Sequence, residues 1–132
     1  MGLFKYSKCI IRGSLVQWTP EEIVRQGLLQ RMLVLGYPKG LISVERKLVK
    51  RRYDVVCFMQ TMKPLLLVEC KATALDTKAA MQAFGYKGLL EAPFVTLIGP
   101  EEIMTYWQGK EGYEAVPFLP SHKELYAMSR RF

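Results

Sequence analysis

Two apolar runs, Arg52-Tyr53-Asp54-Val55-Val56-Cys57-Phe58-Met59 and Leu65-Leu66-Leu67-Val68-Glu69-Cys70-Lys71, flank the interruption Thr61-Met62-Lys63-Pro64. Their β-branched and aromatic content, with a breaker between them, predicts two adjacent strands joined by a short turn. These strands constrain the chain because they carry charge. With regular alternation, Asp54 lies on the face of Val56 and Phe58, Glu69 and Lys71 lie on that of Leu67, and Val68 and Cys70 take the opposite face. Both acids can then converge on one side of a small sheet. An unpaired charge in an apolar strand costs several kcal/mol or shifts its pKa until it neutralises. The constellation therefore needs a partner, either a salt bridge (Lys71 neutralising Glu69, with Asp54 ending a strand) or a divalent cation. The D…ExK spacing alone fits both.

The flanking elements follow from local chemistry. Thr19 as N-cap, Pro20 in the first turn and Glu22 three residues after the cap open a helix. Ile23, Val24, Gly27, Leu28, Met32 and Leu35 are expected to form its apolar stripe, and Gly36 with Pro38 to end it. The alternation from Leu41 to Lys47 suits a first strand, in which Glu45 reads as a surface carboxylate or a neighbour of Asp54. Asp76 begins a second helix running to about Leu90, with Ala79, Ala80, Ala83, Phe84 and Leu90 as packing residues. Phe94–Ile98 reads as a buried strand closed by Gly99-Pro100, and 103–107 with 113–118 as a terminal hairpin around Gln108–Gly112. Residues 1–18 form an arm in which Lys8–Arg12 is a strand or extended chain.

Composition narrows the function classes. With 132 residues, half of them hydrophobic, the expectation is one α/β domain spanning 1–132, its core at about 19–99 and a hairpin and tail at 100–132. Nineteen basic against twelve acidic residues give a net charge of +7, which favours a polyanionic partner such as nucleic acid. Arg46, Lys47, Lys50, Arg51 and Arg52 cluster just before Asp54, either as a solvated turn or as a seat for a phosphate backbone. Cys9, Cys57 and Cys70 form no C-x-x-C and read as reduced core residues. His122 is the only histidine, in a Pro-flanked segment and expected at the surface, which disfavours His-based nuclease, multi-His metal and Ser-His-Asp chemistry. No apolar stretch approaches the ~20 residues of a spanning helix. Lys5 and Lys8 interrupt any export signal, and after Met1-Gly2 the myristoylation pattern fails at Tyr6, so a cytoplasmic protein without a membrane role is expected.

The order helix, three strands, helix, strand resembles the PD-(D/E)xK nuclease superfamily. Within it the chain is most similar to the N-terminal domain of type I restriction enzyme R subunits. The resemblance rests on Thr-Pro-Glu-Glu-Ile-Val-Arg at 19–25, Arg-Tyr-Asp at 52–54, Pro-Leu-Leu-Leu-Val-Glu-Cys-Lys at 64–71 and Gln82-Ala-Phe-Gly-Tyr86, and spans about 19–99. Tyr53 replaces the proline that often precedes the first acid. The resemblance implies a restriction-endonuclease-like α/β core and a Mg²⁺- or Mn²⁺-dependent nuclease acting on nucleic acid, DNA first. Asp54 and Glu69 would be metal ligands with the Cys70 carbonyl, and Lys71 would orient or deprotonate the attacking water. Glu22 is either a further ligand or only the capping partner of Thr19. Gln82 and Tyr86, one turn apart, resemble a Q-x-x-x-Y element that shapes the pocket or touches substrate, alongside Lys47, Arg51 and Arg52. Trp18, Trp107 and the tyrosines could stack on bases or simply pack. No small-molecule cofactor is implied, and a homodimer with two sites fits so small a nuclease. The second function class is a non-catalytic relative that keeps the fold to bind nucleic acid or protein.

Overall fold

The Leu-rich run at 64–70 becomes an inner strand of a six-stranded sheet, completely enclosed from Leu65 to Val68. The computed structural model describes residues 6–131; the Met1-Gly2 start, Lys5 and the rest of the first five residues of the arm lie outside them. The strands are β1 (Tyr6–Lys8), β2 (Leu15–Gln17), β3 (Ile42–Leu48), β4 (Arg51–Phe58), β5 (Pro64–Cys70), β6 (Phe94–Ile98), β7 (Ile103–Gly109) and β8 (Gly112–Val116). The helices are α1 (Pro20–Val34), α2 (Thr77–Ala80), α3 (Tyr86–Glu91) and α4 (His122–Ser129). Strands β3 to β8 lie side by side in chain order, and β1 pairs with β2 in a separate hairpin. Only β5 and β6 run parallel, joined by the α2–α3 crossover that a parallel pair requires. The expected α/β core of helix, three strands, helix, strand and terminal hairpin is present.

Two layers of helix cover the sheet. Leu28, Leu29 and Met32 of α1 and Leu125 of α4 pack on Val55, Cys57, Leu66, Val68, Cys70 and Phe94. Ala80 and Met81, with Ala92, pack on Tyr53, Val56, Phe58, Leu67, Val95 and Leu97 from the other face. Gly88 lets α3 lie close, since a Cβ there would stand 2.8 Å from Cγ2 of Val95. Cys9, Cys57 and Cys70 are buried and free.

Several expectations change. The α1 stripe is rotated, so that Ile23 and Gly27 are exposed while Leu29 is buried, because Glu22, Arg25 and Gln26 also turn inward. The second helix is not uniform, because Met81–Gly85 forms a π-helical turn between α2 and α3, with Tyr86 N–H donating to the Met81 carbonyl. Strand β3 starts at Ile42 rather than Leu41, and β7 and β8 run 103–109 and 112–116. The C-terminal tail holds an additional helix, α4, capped by Ser121. His122 is half-buried at its start, edge-on to Tyr37 at 5.4 Å. Among the described residues no helix is long and apolar enough to cross a membrane.

Candidate active site

The β4–β5 register sets Asp54 opposite Glu69. Val55 pairs with Val68, so Asp54 and Glu69 are the next residues out along the two strands. The regular alternation expected for β4 fails at this point. Tyr53 belongs to the α2–α3 layer with Val56 and Phe58, yet Val55 belongs to the α1 layer, so the strand changes face around Asp54. Across from it in β3, Glu45 adopts a left-handed backbone with φ 52°. Asp54 therefore does not share the Val56 and Phe58 face. Its Oδ2 accepts from the Cys70 main-chain N–H at 2.7 Å, and its Oδ1 faces Arg25 Nη2 of α1 at 3.4 Å.

Glu69 is buried, and its Oε1 has no hydrogen-bond partner among the described residues. Burial, then the nearby Asp54 carboxylate, push its carboxyl up to about 8, against the weaker pull of Lys71 and Arg51. A carboxylate beside Glu69 makes a second negative charge there costly, and added positive charge would reduce that cost. A raised folded pKa means that the folded state holds a proton the unfolded chain releases near 4.5. Metal-free stability from this group is thus fully present below pH 4.5 and lost as pH rises through about 8. Thermal unfolding in EDTA should show melting temperature falling across that window, by the equivalent of a few kcal/mol at most, and Glu69→Gln should flatten the decline. An unchanged slope in Glu69→Gln would assign the proton elsewhere.

Lys71 forms no ion pair with either acid, which removes the simple salt-bridge reading; its ammonium sits 4.2 Å from the centre of the Phe84 ring. Arg51 caps the same ring at 5.5 Å and donates to the Ala83 carbonyl at 2.8 Å. Phe84 and that carbonyl are both in the π turn, which brings them to the β4–β5 edge. Arg52 and Lys47 are exposed and paired in register on the basic hairpin, and Lys50 is exposed in its turn.

On the α1 side the acids converge on one cation. Arg25, only 4% exposed, lies 2.8 Å from Glu22, 3.2 Å from Glu21 and 3.4 Å from both Glu45 and Asp54. Burial works against its charge, but Glu22, then Asp54 and Glu45, outweigh that and raise its pKa further. Glu22 N–H is capped by Thr19 at 3.1 Å, while the Glu22 carboxylate is taken by Arg25 and by Gln26 at 3.1 Å. Glu22 thus meets Asp54 only through Arg25. Glu45 is a partly exposed carboxylate that also holds Arg12 at 3.2 Å.

Gln82 is exposed and its side chain makes no hydrogen bond among the described residues. Tyr86 follows the π turn that contains Gln82, and its ring lies tilted against Tyr113 of β8 at 4.9 Å. The sequence reading gave no role to Arg25 and treated Phe84 as packing. The i, i+3 and i, i+4 spacing of Arg25 from Glu22 and Glu21 was the available signal for the first.

Among the described residues no three His, Cys, Asp or Glu side chains form a group that could hold a metal ion. The side-chain donors at the β4–β5 edge are two carboxylates, one with a buried oxygen left over. That set suits a hard cation such as Mg²⁺ or Mn²⁺ completed by main-chain or water oxygens.

The chain belongs to the family described as type I restriction enzyme R protein N terminus (HSDR_N), which it matches over residues 20–120. Its fold is that of a candidate nuclease of DUF820 from Anabaena variabilis: the superposition has a TM-score of 0.56 at 12% identity, covering 89% of this chain and 88% of that one. No curated protein matches the chain in sequence.

Proposed function

We propose that this protein is a metal-dependent nuclease that hydrolyses phosphodiester bonds, DNA first, as a restriction- or repair-type endonuclease module. The observation that carries this reading is the Asp54–Glu69 pair on adjacent strands, where Glu69 keeps a buried carboxyl oxygen without a hydrogen-bond partner among the described residues. Asp54 and Glu69 would hold Mg²⁺ or Mn²⁺, joined by the Cys70 carbonyl; when bound, the ion supplies Lewis-acid polarisation of the phosphate and a more acidic attacking water.

The chain's own groups do the rest. The Cys70 N–H fixes Asp54, so one donor is positioned before any ligand arrives. Lys71 leaves the Phe84 ring face to meet the water or the charge that builds on the phosphorane. Arg51, anchored on the same helical turn, and the exposed Lys47, Lys50 and Arg52 take the phosphate backbone. Membership of a restriction-enzyme family and the fold of a candidate nuclease support the reading.

Plasmid, linear, branched and single-stranded substrates, each incubated with Mg²⁺, Mn²⁺ or EDTA, provide the test. Metal-dependent products that vanish in Asp54→Ala and fall at least a hundredfold in Lys71→Ala are expected. Cutting that survives either substitution rejects the site. Binding without cutting by clean wild type would instead identify a non-catalytic binder.

A further inference from the structure

Arg25 is not explained by fold support alone. Its guanidinium is almost wholly enclosed, its Nε finds no partner, and its terminal nitrogens are shared among Glu21, Glu22, Glu45 and Asp54. A buried ion pair needs one counter-charge, and this residue has four. The partners are unequal. Glu22 on the same helix is held at 2.8 Å, a charge-assisted hydrogen bond, whereas Asp54 stands at 3.4 Å, at the long edge of one. Arg25 is thus anchored on α1 by Glu22 and Glu21, and Asp54, like Glu45 at the same 3.4 Å, is a partner it can surrender while keeping its shorter bonds.

Beside Asp54 on the neighbouring strand lies Glu69, whose buried Oε1 has no hydrogen-bond partner among the described residues and is free to act as a donor to a cation. A cation bridging Asp54 and Glu69 would be a near neighbour of the guanidinium in a poorly screened interior, and the two like charges repel. We infer that Arg25 is a resident counter-ion that competes with the divalent cation for Asp54 and so weakens and sets the site's metal affinity. This rests on the metal-dependent reading above. Arg25 acts on the ion through Asp54, so it is a positioning residue, and it also keeps Glu22 out of the ligand set through the 2.8 Å bond.

The competition predicts an unusual sign. If Arg25 only held the site together, its loss would weaken metal binding; if it competes, its loss tightens it. Mn²⁺ binding by calorimetry should give Arg25→Met a dissociation constant at least tenfold below wild type, with Arg25→Lys within threefold of wild type. A second measurement covers failure of Arg25→Met to fold. In ¹⁵N spectra of the wild type, the Arg25 Nε–Hε resonance, assigned by its absence in Arg25→Lys, should move during a Mg²⁺ titration as the guanidinium leaves Asp54. Equal or weaker Mn²⁺ binding in Arg25→Met, or an unmoved Arg25 resonance while Mg²⁺ binds, overturns the inference and leaves the nuclease reading intact. A wild type that binds neither ion overturns both.

Discussion

Asp54→Asn should reduce cleavage at least a thousandfold, about 4 kcal/mol in the barrier, while leaving the melting temperature within a few degrees of wild type. Asparagine can still accept the Cys70 N–H through its Oδ1, so the 2.7 Å bond that closes the β4–β5 edge survives. What disappears is one of the two charges that would hold the ion. The same substitution removes the Asp54 charge that helps hold Glu69 up near 8, so Glu69 should titrate at a lower pH in the variant. Single-turnover cleavage and carboxyl titration by NMR, on one sample, check both halves. Loss of activity with loss of fold would show that Asp54 serves the sheet rather than the reaction.

Leu67→Ala should be the most destabilising single truncation near the site. Leu67 has no exposed surface and pairs with Val56 on one side and Val95 on the other, under the α2–α3 layer. Removing three methyl-scale groups there costs about 2–5 kcal/mol in lost transfer energy and cavity formation. At this chain length that corresponds to a drop of roughly 10 °C or more in melting temperature. Denaturant unfolding would measure it, and a change under about 1 kcal/mol would mean that the layer collapses onto the gap.

Much of this architecture could be read from residue types. The Thr19-Pro20 opening, the two apolar runs around Pro64 and the Phe94–Ile98 run each carry a strong local signal, and each gave its element. Features that depend on a second strand or helix were not legible. Regular alternation placed Asp54 with Val56 and Phe58, because no sequence rule announces that Glu45 will turn left-handed and that β4 will change face opposite it. The π turn is one extra residue, a local underwinding inside an ordinary alanine-rich helix pattern, yet it determines where Phe84 meets Lys71 and Arg51. Sequence spacing links Arg25 only to Glu21 and Glu22 on its own helix; the fold adds Glu45 and Asp54, distant in sequence, to its partners. Helix α4 was hidden in a short, Pro-flanked tail of weak periodicity, although Ser121 caps it by the usual rule.

The left-handed Glu45 also bears on how two copies of this chain could associate. Strand β3 is one border of the sheet, and an uninterrupted border strand offers a row of main-chain donors and acceptors to any extended neighbour. Here the row is broken midway, Arg12 crosses to Glu45, and Arg46 and Lys47 add like charge beside the break. Continuous strand addition is therefore blocked on the β3 side, and a pair of subunits that shared one extended sheet would have to meet through β8.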